Sequence, residues 1–212
     1  AEAVDPRVEW LLEKAATWQQ AKEKTLVFVA ERSTLEALRE ALNRSTGLRV
    51  GLFHEDMSAK RRDIEVAQFR LPGGPSLLIS TECGGEGRNF EFCTRMLLYD
   101  IPWNPIVVEQ RIGRLDRIGR KLPVEIMYFR PPKGLGAMVT QLYERLGIFE
   151  RPLGSLETEL RGVEEAIEGV AIGTVKTSGT SATAGTELFE DILARTEEAY
   201  DRIQQAAYAQ LH

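Results

Sequence analysis

Short apolar segments alternate along this chain with longer segments whose apolar residues recur every three or four positions. The short segments are mostly β-branched or leucine-rich, which is typical of strands buried on both faces of a sheet. The longer segments have the period of amphipathic helices. The predicted strands are 25–30, 49–54, 76–81, 95–100 and 124–129, and the predicted helices are 5–22, 33–44, 58–70 and 104–117.

Two of the predicted helices begin with recognisable capping residues. Asp5 followed by Pro6 fits an N-cap and a first helical position, where proline loses no hydrogen bond. Ser33 has Glu36 three residues later, which is the spacing of a capping box. The pattern therefore predicts that the second helix begins directly after Ser33.

The alternation of strands and helices predicts the fold class. Buried strands separated by helices of about a dozen residues are typical of an α/β domain, with a parallel sheet covered by helices on both faces. We assign this domain to residues 1–133. Residues 134–212 are predicted to be a helical appendage, interrupted near 151–154 and again by a flexible Gly/Ser/Thr-rich loop at 169–186, before a last amphipathic helix at 187–211.

Composition narrows the function classes. The formal net charge of −5 argues against a protein that coats nucleic acid through its whole surface, although a local basic groove remains open. Two cysteines provide no disulfide framework and two histidines no Cys/His zinc pattern, so we expect a reducing cytoplasmic setting and no metal site. No segment reads as a membrane span or a signal peptide. A first residue of Ala1 is compatible with a piece of a longer protein.

The segment EQRIGRLDRIGR, residues 109–120, concentrates positive charge in an acidic chain. If the helix runs to residue 117, Gln110, Arg114 and Arg117 share one face, opposite an apolar face. Residues 111–121 hold five basic residues and one acidic residue. Aligned guanidinium groups suit phosphate oxygens, which they bind through paired hydrogen bonds. The alternative is a solvated charged face, but the acids that such a face usually carries at helical spacing are missing.

A glycine cluster follows the third predicted strand. In STECGGEGRNF, residues 80–90, glycines stand at 84, 85 and 87. Glycine lets the backbone approach a ligand closely and expose successive N–H groups. Ligands of α/β folds bind where parallel strands end, so this loop is a candidate phosphate or nucleotide contact. A plain tight turn is the alternative.

Taken in order, these segments resemble a known family. KTLVFVAERSTLEAL, GLFHEDMSAKRRDIEVAQF, LLISTECGGEGRNFEFC and EQRIGRLDRIGR are similar to motifs IV, IVa, V and VI of superfamily 2 helicases. Within that superfamily the chain resembles the Swi/Snf-type translocases, and most of all the bacterial RapA-like ATPases associated with RNA polymerase. The resemblance is strong over residues 24–130 and looser over the appendage. It implies a RecA-like lobe, the second of the two lobes that form such a motor.

The resemblance also implies roles for individual residues. Motif VI would supply Arg117 as the arginine finger, Arg114 as a second phosphate-sensing arginine and Gln110 as a nucleotide contact. In motif V, Gly85, Glu86 and Gly87 would face the nucleotide and couple the lobes. The nucleic-acid backbone would be gripped by residues of two segments: Ser80, Thr81, Ser58, Arg61 and Arg62. For the last three, a solvated helix N-terminus is an alternative of nearly equal weight.

The resemblance implies a partner lobe as well. No GxxxxGK[ST] phosphate loop and no acidic Mg²⁺ motif occur in this chain. We therefore expect ATP and Mg²⁺ to be held mainly by an N-terminal RecA-like lobe, and this chain to be inactive alone. The expected track is duplex DNA, with RNA polymerase as a further partner and the bacterial nucleoid as the setting. The sequence does not decide between DNA and RNA, nor whether strands are separated.

Other interpretations of the function remain open. One is a partner-binding or regulatory lobe without ATPase activity, although an intact motif VI face argues against decay. Residues 150–168 carry six acidic residues and two arginines, which suits either solubility or docking to a basic partner. His54 is interpreted as a residue at a strand end rather than a catalyst.

Overall fold

The structure, a computed structural model, describes residues 4–81, 90–115 and 123–150, and separate helical positions between 160 and 209. The chain forms two compact units. The first contains residues 1–100 and 112–129, and the second contains residues 101–111 and 130–212. The domain boundary predicted at residue 133 remains a prediction. The second unit also contains residues 101–111, which lead into motif VI.

The first unit is built on a parallel sheet. Its strands are β1 (Thr25–Phe28), β2 (Gly51–Phe53), β3 (Leu77–Ser80), β4 (Arg95–Leu98) and β5 (Glu125–Tyr128), in the order β2-β3-β1-β4-β5. Every neighbouring pair is parallel. The helices whose bounds the structure describes are α1 (Pro6–Ala21), α2 (Arg32–Thr46), α3 (Ala59–Arg70), α4 (Pro105–Ile112) and α5 (Gly134–Leu146). The predicted α/β class with a parallel sheet is confirmed.

Helices α1 and α2 cover one face of the sheet. Leu11 and Trp18 of α1 and Leu35 of α2 pack in one cluster with side chains from β1, β3 and β4, such as Val27 and Ile79. The helix residues in this cluster are the apolar residues that recur at helical spacing in the sequence. The strand residues in it alternate with residues that point to the other face of the sheet. The periodic pattern therefore identified this part of the core.

Helix α3 packs against β2 and β3 on the opposite face. All four residues of β1 are buried, as expected for a strand with neighbours on both sides and helices on both faces. Phe69 of α3 is fully buried, and its ring lies 5.3 Å from that of Phe92 in an edge-to-face arrangement. The aromatic pair fixes α3 to the segment that leads into β4.

The predicted starts of α1 and α3 are confirmed, whereas that of α2 is wrong. The Oδ1 atom of Asp5 accepts a hydrogen bond from the Arg7 backbone N–H (2.9 Å), which caps α1. Helix α2 begins at Arg32, with Glu31 at the N-cap and no side-chain cap. A capping box is absent because Ser33 lies within the first turn of α2 and is not its N-cap; the two oxygens of Glu36 pair with Arg32 (3.1 Å) and Arg39 (3.0 Å).

Lys24 is a buried cation at the start of β1. It is 7% exposed, and its Nζ donates to the carbonyl oxygens of Leu71 (2.8 Å), Gly74 (3.2 Å) and Pro75 (2.8 Å). Burial lowers the pKa of this amine. A Cβ at Gly74 would collide with the carbonyl oxygen of Gln68, so the turn requires glycine. Lys24 therefore holds the α3–β3 connection in place from the neighbouring strand.

The second unit has its own core. Tyr143 of α5 is fully buried, and its hydroxyl donates to the carbonyl oxygen of Pro102 (2.8 Å). Leu160, Val163 and Ile167 are also buried and lie on helical positions four or fewer residues apart. The predicted appendage thus contains apolar residues that pack, and α5 is tied directly to the segment that precedes α4.

The rest of the predicted appendage is described in part. Positions 169, 171 and 172 are helical, although composition placed them in a loop, and residues 173–186 and the break at 151–154 lie outside the described residues. The described positions between 187 and 209 are helical, as the pattern predicts. Within the part of the chain that the structure describes, no helix has the length and apolarity needed to cross a membrane.

We predict that Lys24→Met lowers the free energy of unfolding by about 2 kcal/mol, because hydrogen bonds from a charged donor to buried carbonyls are lost. Urea unfolding followed by circular dichroism measures the change. Lys60→Met, at an exposed position of α3, removes the same charge and should leave stability within about 0.5 kcal/mol. Equal stability of the two variants would contradict a structural role for Lys24.

Candidate functional site

The candidate site lies where the parallel strands end. Phe28 of β1 and Phe53 of β2 are both paired with Ser80 of β3, so the residues that follow these strands emerge at one edge of the sheet. Those segments are 30–32, 54–58 and 81, and the first turn of α3 follows the second. Two segments that the resemblance assigns to nucleic-acid binding therefore lie at the same edge.

Thr81 is held in place by contacts to the neighbouring strand. Its backbone N–H donates to the carbonyl oxygen of Phe53 (3.0 Å), and its hydroxyl donates to Oε2 of Glu55 (2.8 Å). The hydroxyl of Ser80 donates to the carbonyl oxygen of Thr81 (2.8 Å) and is buried. Thr81 itself is 4% exposed. The donors of both predicted nucleic-acid contacts are thus engaged within the protein.

The start of α3 is built by Ser58 and Arg62. The hydroxyl oxygen of Ser58 accepts a hydrogen bond from the Arg61 backbone N–H (3.1 Å), which makes Ser58 the N-cap. Arg62 donates from Nε to the carbonyl oxygen of His54 (3.1 Å) and from Nη2 to that of Glu55 (2.9 Å). Its guanidinium also lies 5.5 Å from the centre of the Phe53 ring. Arg62 therefore fixes the backbone that follows β2.

Arg61 has a different structural partner. Its Nη2 donates to Oε1 of Glu65 (2.7 Å), a buried carboxylate whose Oε2 accepts from the Leu52 backbone N–H (3.3 Å). A guanidinium has five N–H donors, and this contact uses one. The Arg61 side chain is more than half exposed, so its remaining donors can reach a phosphate. Its predicted role in nucleic-acid binding remains a prediction.

Arg32 and His54 form a cluster at the same edge that the sequence did not reveal. Nη1 of Arg32 lies 2.9 Å from Nδ1 of His54 and 2.7 Å from Oδ2 of Asp56. Because a guanidinium only donates, Nδ1 is the acceptor, and the neutral imidazole carries its proton on Nε2. Burial and the Arg32 charge both lower the pKa of His54. His54 lies just after β2, as expected for a residue at a strand end.

Glu55 is an ionised carboxylate at this edge. Its pKa is lowered by a hydrogen bond from its own backbone N–H, and further by the Thr81 hydroxyl. The residue lies on the surface, whereas Thr81 is buried. An exposed acid bonded to a predicted phosphate contact was not anticipated, since nothing in the local sequence pairs positions 55 and 81.

The helix that carries the start of motif VI is shorter than predicted. Helix α4 ends at Ile112, and residues 113–115 form a turn, so Arg114 follows the helix and does not share a helical face with Gln110. Gly113 explains the early end, because glycine disfavours a helix interior. Gln110 is exposed on α4, and Arg114 is partly exposed in the turn.

Arg111 differs from the other basic residues of the stretch. It is 2% exposed and, with Pro105 and Val108, forms the buried face of α4. It therefore does not belong to the exposed basic surface proposed from composition. The spacing of three residues from Val108 is the one sequence signal for its burial, and the charge of arginine obscured it.

The remaining predicted site residues lie outside the part of the chain that the structure describes. Gly85, Glu86 and Gly87 fall within 82–89, and Arg117 falls within 116–122, both outside the described residues. Among the residues that the structure does describe, no three His, Cys, Asp or Glu side chains converge as metal ligands.

Comparison with protein families decides the assignment. The family described as the helicase conserved C-terminal domain matches residues 7–119, which is more than half of the chain. The chain belongs to this helicase family. The match begins within α1 and ends inside motif VI, so it includes the sheet edge and every site residue predicted here.

Curated relatives of this helicase C-terminal domain refine the branch. The RNA polymerase-associated protein RapA of Vibrio vulnificus (strain YJ016) is 47% identical over 123 residues, which cover 58% of this chain but 12% of that protein. RapA of Vibrio cholerae (strain M66-2) is 46% identical over the same length. The chain thus matches about an eighth of the length of these relatives, and it is a lobe of the RapA-like branch.

Solved structures agree on the fold. The Sulfolobus solfataricus SWI2/SNF2 ATPase core in complex with dsDNA aligns with a TM-score of 0.57 at 21% identity, over 76% of this chain and 33% of that one. The C-terminal part of the Fun30 ATPase domain aligns with a TM-score of 0.55 at 16% identity, over 76% and 52%. The predicted helicase C-terminal lobe is confirmed.

The lowered pKa of His54 gives a pH-dependence of stability. Since the folded state holds this pKa below the unfolded value of about 6.5, the unfolded state binds more protons in this range. The contribution is present above about pH 6.5 and is lost as the pH falls. We predict that acidification from pH 7.5 to 5.5 destabilises the wild type more than His54→Gln, as measured by urea unfolding.

The other histidine of the chain supplies the control for this prediction. His212→Gln makes the same substitution at the last residue of the sequence and should follow the wild type. A His54→Gln variant that loses as much stability as the wild type between the two pH values would show that His54 does not titrate as described.

Proposed function

We propose that this chain is the second motor lobe of an ATP-dependent translocase on nucleic acid. The observation that carries the proposal is that the two segments predicted to contact the nucleic-acid backbone are bonded to each other at one edge of the sheet. Thr81 and the start of α3 are linked through Glu55, which bonds the Thr81 hydroxyl by its side chain and Arg62 by its carbonyl oxygen. A nucleic-acid backbone that contacts one segment would therefore also meet the other.

Exposed donors at this edge suit a phosphate chain. Arg61 retains unused N–H groups, and Lys60 is exposed beside it on the first turn of α3. A helix N-terminus also carries the positive end of the helix dipole, which favours anions. Contacts of this kind hold the phosphate backbone without reading bases, as a motor that moves along any sequence requires.

The nucleotide side of the lobe is proposed to consist of motifs V and VI. In this proposal Arg117 acts as the arginine finger and Arg114 as the second arginine on the transferred phosphoryl group. Gln110 contacts the nucleotide, and the glycine-rich segment 85–87 couples nucleotide and nucleic acid. An arginine finger accelerates phosphoryl transfer by about 10³–10⁵, roughly 4–7 kcal/mol of barrier.

The proposal requires a second lobe. This sequence contains no phosphate-binding loop, so the lysine that holds the β- and γ-phosphates must come from elsewhere. The coverage of 12% of the RapA relatives supports a longer working protein. An N-terminal RecA-like lobe would hold ATP and Mg²⁺, and closure of the two lobes would bring the arginines to the γ-phosphate. We propose duplex DNA as the track and RNA polymerase as a partner, in the bacterial cytoplasm.

ATP turnover measures the proposal directly. The chain alone and the full-length protein that carries it are each assayed with and without duplex DNA. We predict that the chain alone is silent and that the full-length protein hydrolyses ATP faster with DNA. A full-length protein that is silent under both conditions would contradict the motor, and favour the alternative of a partner-binding lobe without ATPase activity.

Substitution of the motif VI arginines tests the assigned roles. In the full-length protein, Arg117→Ala should lower the turnover number by about 10³-fold or more, and Arg114→Ala by at least about tenfold. The reason is the loss of positive charge at the transition state, so duplex-DNA binding should be preserved. Colorimetric phosphate release measures the turnover number.

Arg44→Gln is the matched control for these variants. Arg44 is exposed on α2 and pairs only with Glu40 among the contacts described for it. Removal of one surface charge there should leave turnover within about twofold, because exposed ion pairs contribute little. Unchanged turnover in Arg117→Ala would overturn the arginine-finger assignment.

A further inference from the structure

The Thr81 hydroxyl can serve only one acceptor at a time. A threonine hydroxyl has one O–H donor, and that of Thr81 is directed at Oε2 of Glu55 over 2.8 Å. A phosphate oxygen is an acceptor as well. The backbone N–H of Thr81 is also occupied, since it donates to the carbonyl oxygen of Phe53. Glu55 and a nucleic-acid phosphate are therefore mutually exclusive partners of this hydroxyl.

The position of Glu55 allows its side chain to leave without disturbing the fold. The residue is exposed, and the hydrogen bonds described for its carboxylate come from the Thr81 hydroxyl and from its own backbone N–H. Its backbone stays in place, because Arg62 donates to the carbonyl oxygens of His54 (3.1 Å) and Glu55 (2.9 Å). A displaced carboxylate can thus return to the same hydroxyl when the phosphate departs.

The electrostatic setting makes the competition effective. Glu55 is ionised at neutral pH, as the lowered pKa indicates, so it repels a phosphate as well as occupying its donor. Arg32 attracts the same carboxylate and lies at the same sheet edge. Arg32 already pairs with Glu36 and Asp56, but its charge still acts on the carboxylate when it leaves Thr81.

We propose that Glu55 is a built-in competitor for the backbone phosphate at Thr81, and that each binding event must displace it. The inference rests on the proposed function, because it assumes that Thr81 contacts nucleic acid. As a consequence, the lobe binds the nucleic-acid backbone more weakly than its hydrogen-bond donors alone would allow. A motor gains from such a grip, since each step requires release as well as binding.

Duplex-DNA binding by the full-length protein tests the proposal. Fluorescence anisotropy with a labelled duplex, at one fixed salt concentration, gives the dissociation constant of each variant. We expect Glu55→Ala to bind about tenfold more tightly than the wild type. Glu55→Gln keeps the shape and removes the charge, and should bind a few-fold more tightly; it also shows that any change does not come from lost side-chain volume.

A matched control separates the competitor from a general charge effect. Glu31→Gln neutralises another exposed acid, just after β1 at the same sheet edge, at a position without a side-chain capping bond. It should change the dissociation constant by less than about twofold. Equal effects of Glu31→Gln and Glu55→Gln would overturn the proposal, because overall charge would then explain both.

The double variant identifies the route of the effect. Thr81→Val removes the shared hydroxyl, so Glu55→Ala should add little tightening in that background. Full tightening in the Thr81→Val background would overturn competition at the hydroxyl and leave simple repulsion as the cause. Tighter DNA binding by Glu55→Ala that occurs only when Thr81 is present supports the proposal.

Failure of the proposed function is distinguishable from failure of this inference. If Thr81→Val binds DNA as tightly as the wild type, Thr81 is not a contact, and both the assignment and the competitor are overturned. If Thr81→Val binds more weakly but Glu55→Ala equals Glu31→Gln, the nucleic-acid contact stands and the competitor alone is overturned. Absence of DNA binding in every variant overturns both.

Discussion

Parallel pairing of β1 with both of its neighbours is the constraint on which the rest of the first unit depends. Parallel strands cannot be joined by a tight turn, so each connection crosses a face of the sheet through a helix. Because all five strands point the same way, every segment that leaves a strand does so at one edge. Residues far apart in sequence, such as Glu55 and Thr81, thereby meet without any local signal.

The same edge must satisfy two demands that compete for the same side chains. Arg62 and Ser58 hold the backbone around the start of α3, and the Thr81 hydroxyl closes a contact to Glu55, in the segment that follows β2. A surface that binds phosphate needs exposed donors, whereas a loop at a strand end needs its carbonyls and hydroxyls satisfied. Arginine meets both demands, because five donors exceed what one structural contact uses. Threonine has one donor, so at Thr81 the demands conflict.

The sequence predicted structural features well where the interactions are between residues close in sequence, and less well elsewhere. Strand and helix bounds were predicted to within about two residues, except the end of α4, because burial imposes periods that are visible locally. The predicted Asp5 cap was local as well, and it is confirmed. The predicted Ser33 cap was wrong because α2 begins at Arg32, which places Ser33 within the first helical turn.

Predictions about the site depended on family resemblance and on helical geometry. The assignment to a helicase C-terminal lobe held because motif VI is specific at many positions. The common face of Gln110 and Arg114 failed at Gly113, where the helix ends. Burial of Arg111 and the bond between Glu55 and Thr81 were missed, since charge suggested exposure in the first case and sequence distance hid the second.

The second unit shows why the appendage belongs to the architecture of motif VI. The Tyr143 hydroxyl bonds the carbonyl oxygen of Pro102, three residues before α4 begins, and burial raises the pKa of this tyrosine, so the hydroxyl remains a donor. Val108 and Arg111 of α4 are buried in the same unit. A chain that ended with the sheet would leave this tyrosine contact unmade, directly before the helix that leads into motif VI. Helix α5 of the appendage therefore holds the segment that leads into motif VI through the hydrogen bond from Tyr143 to Pro102.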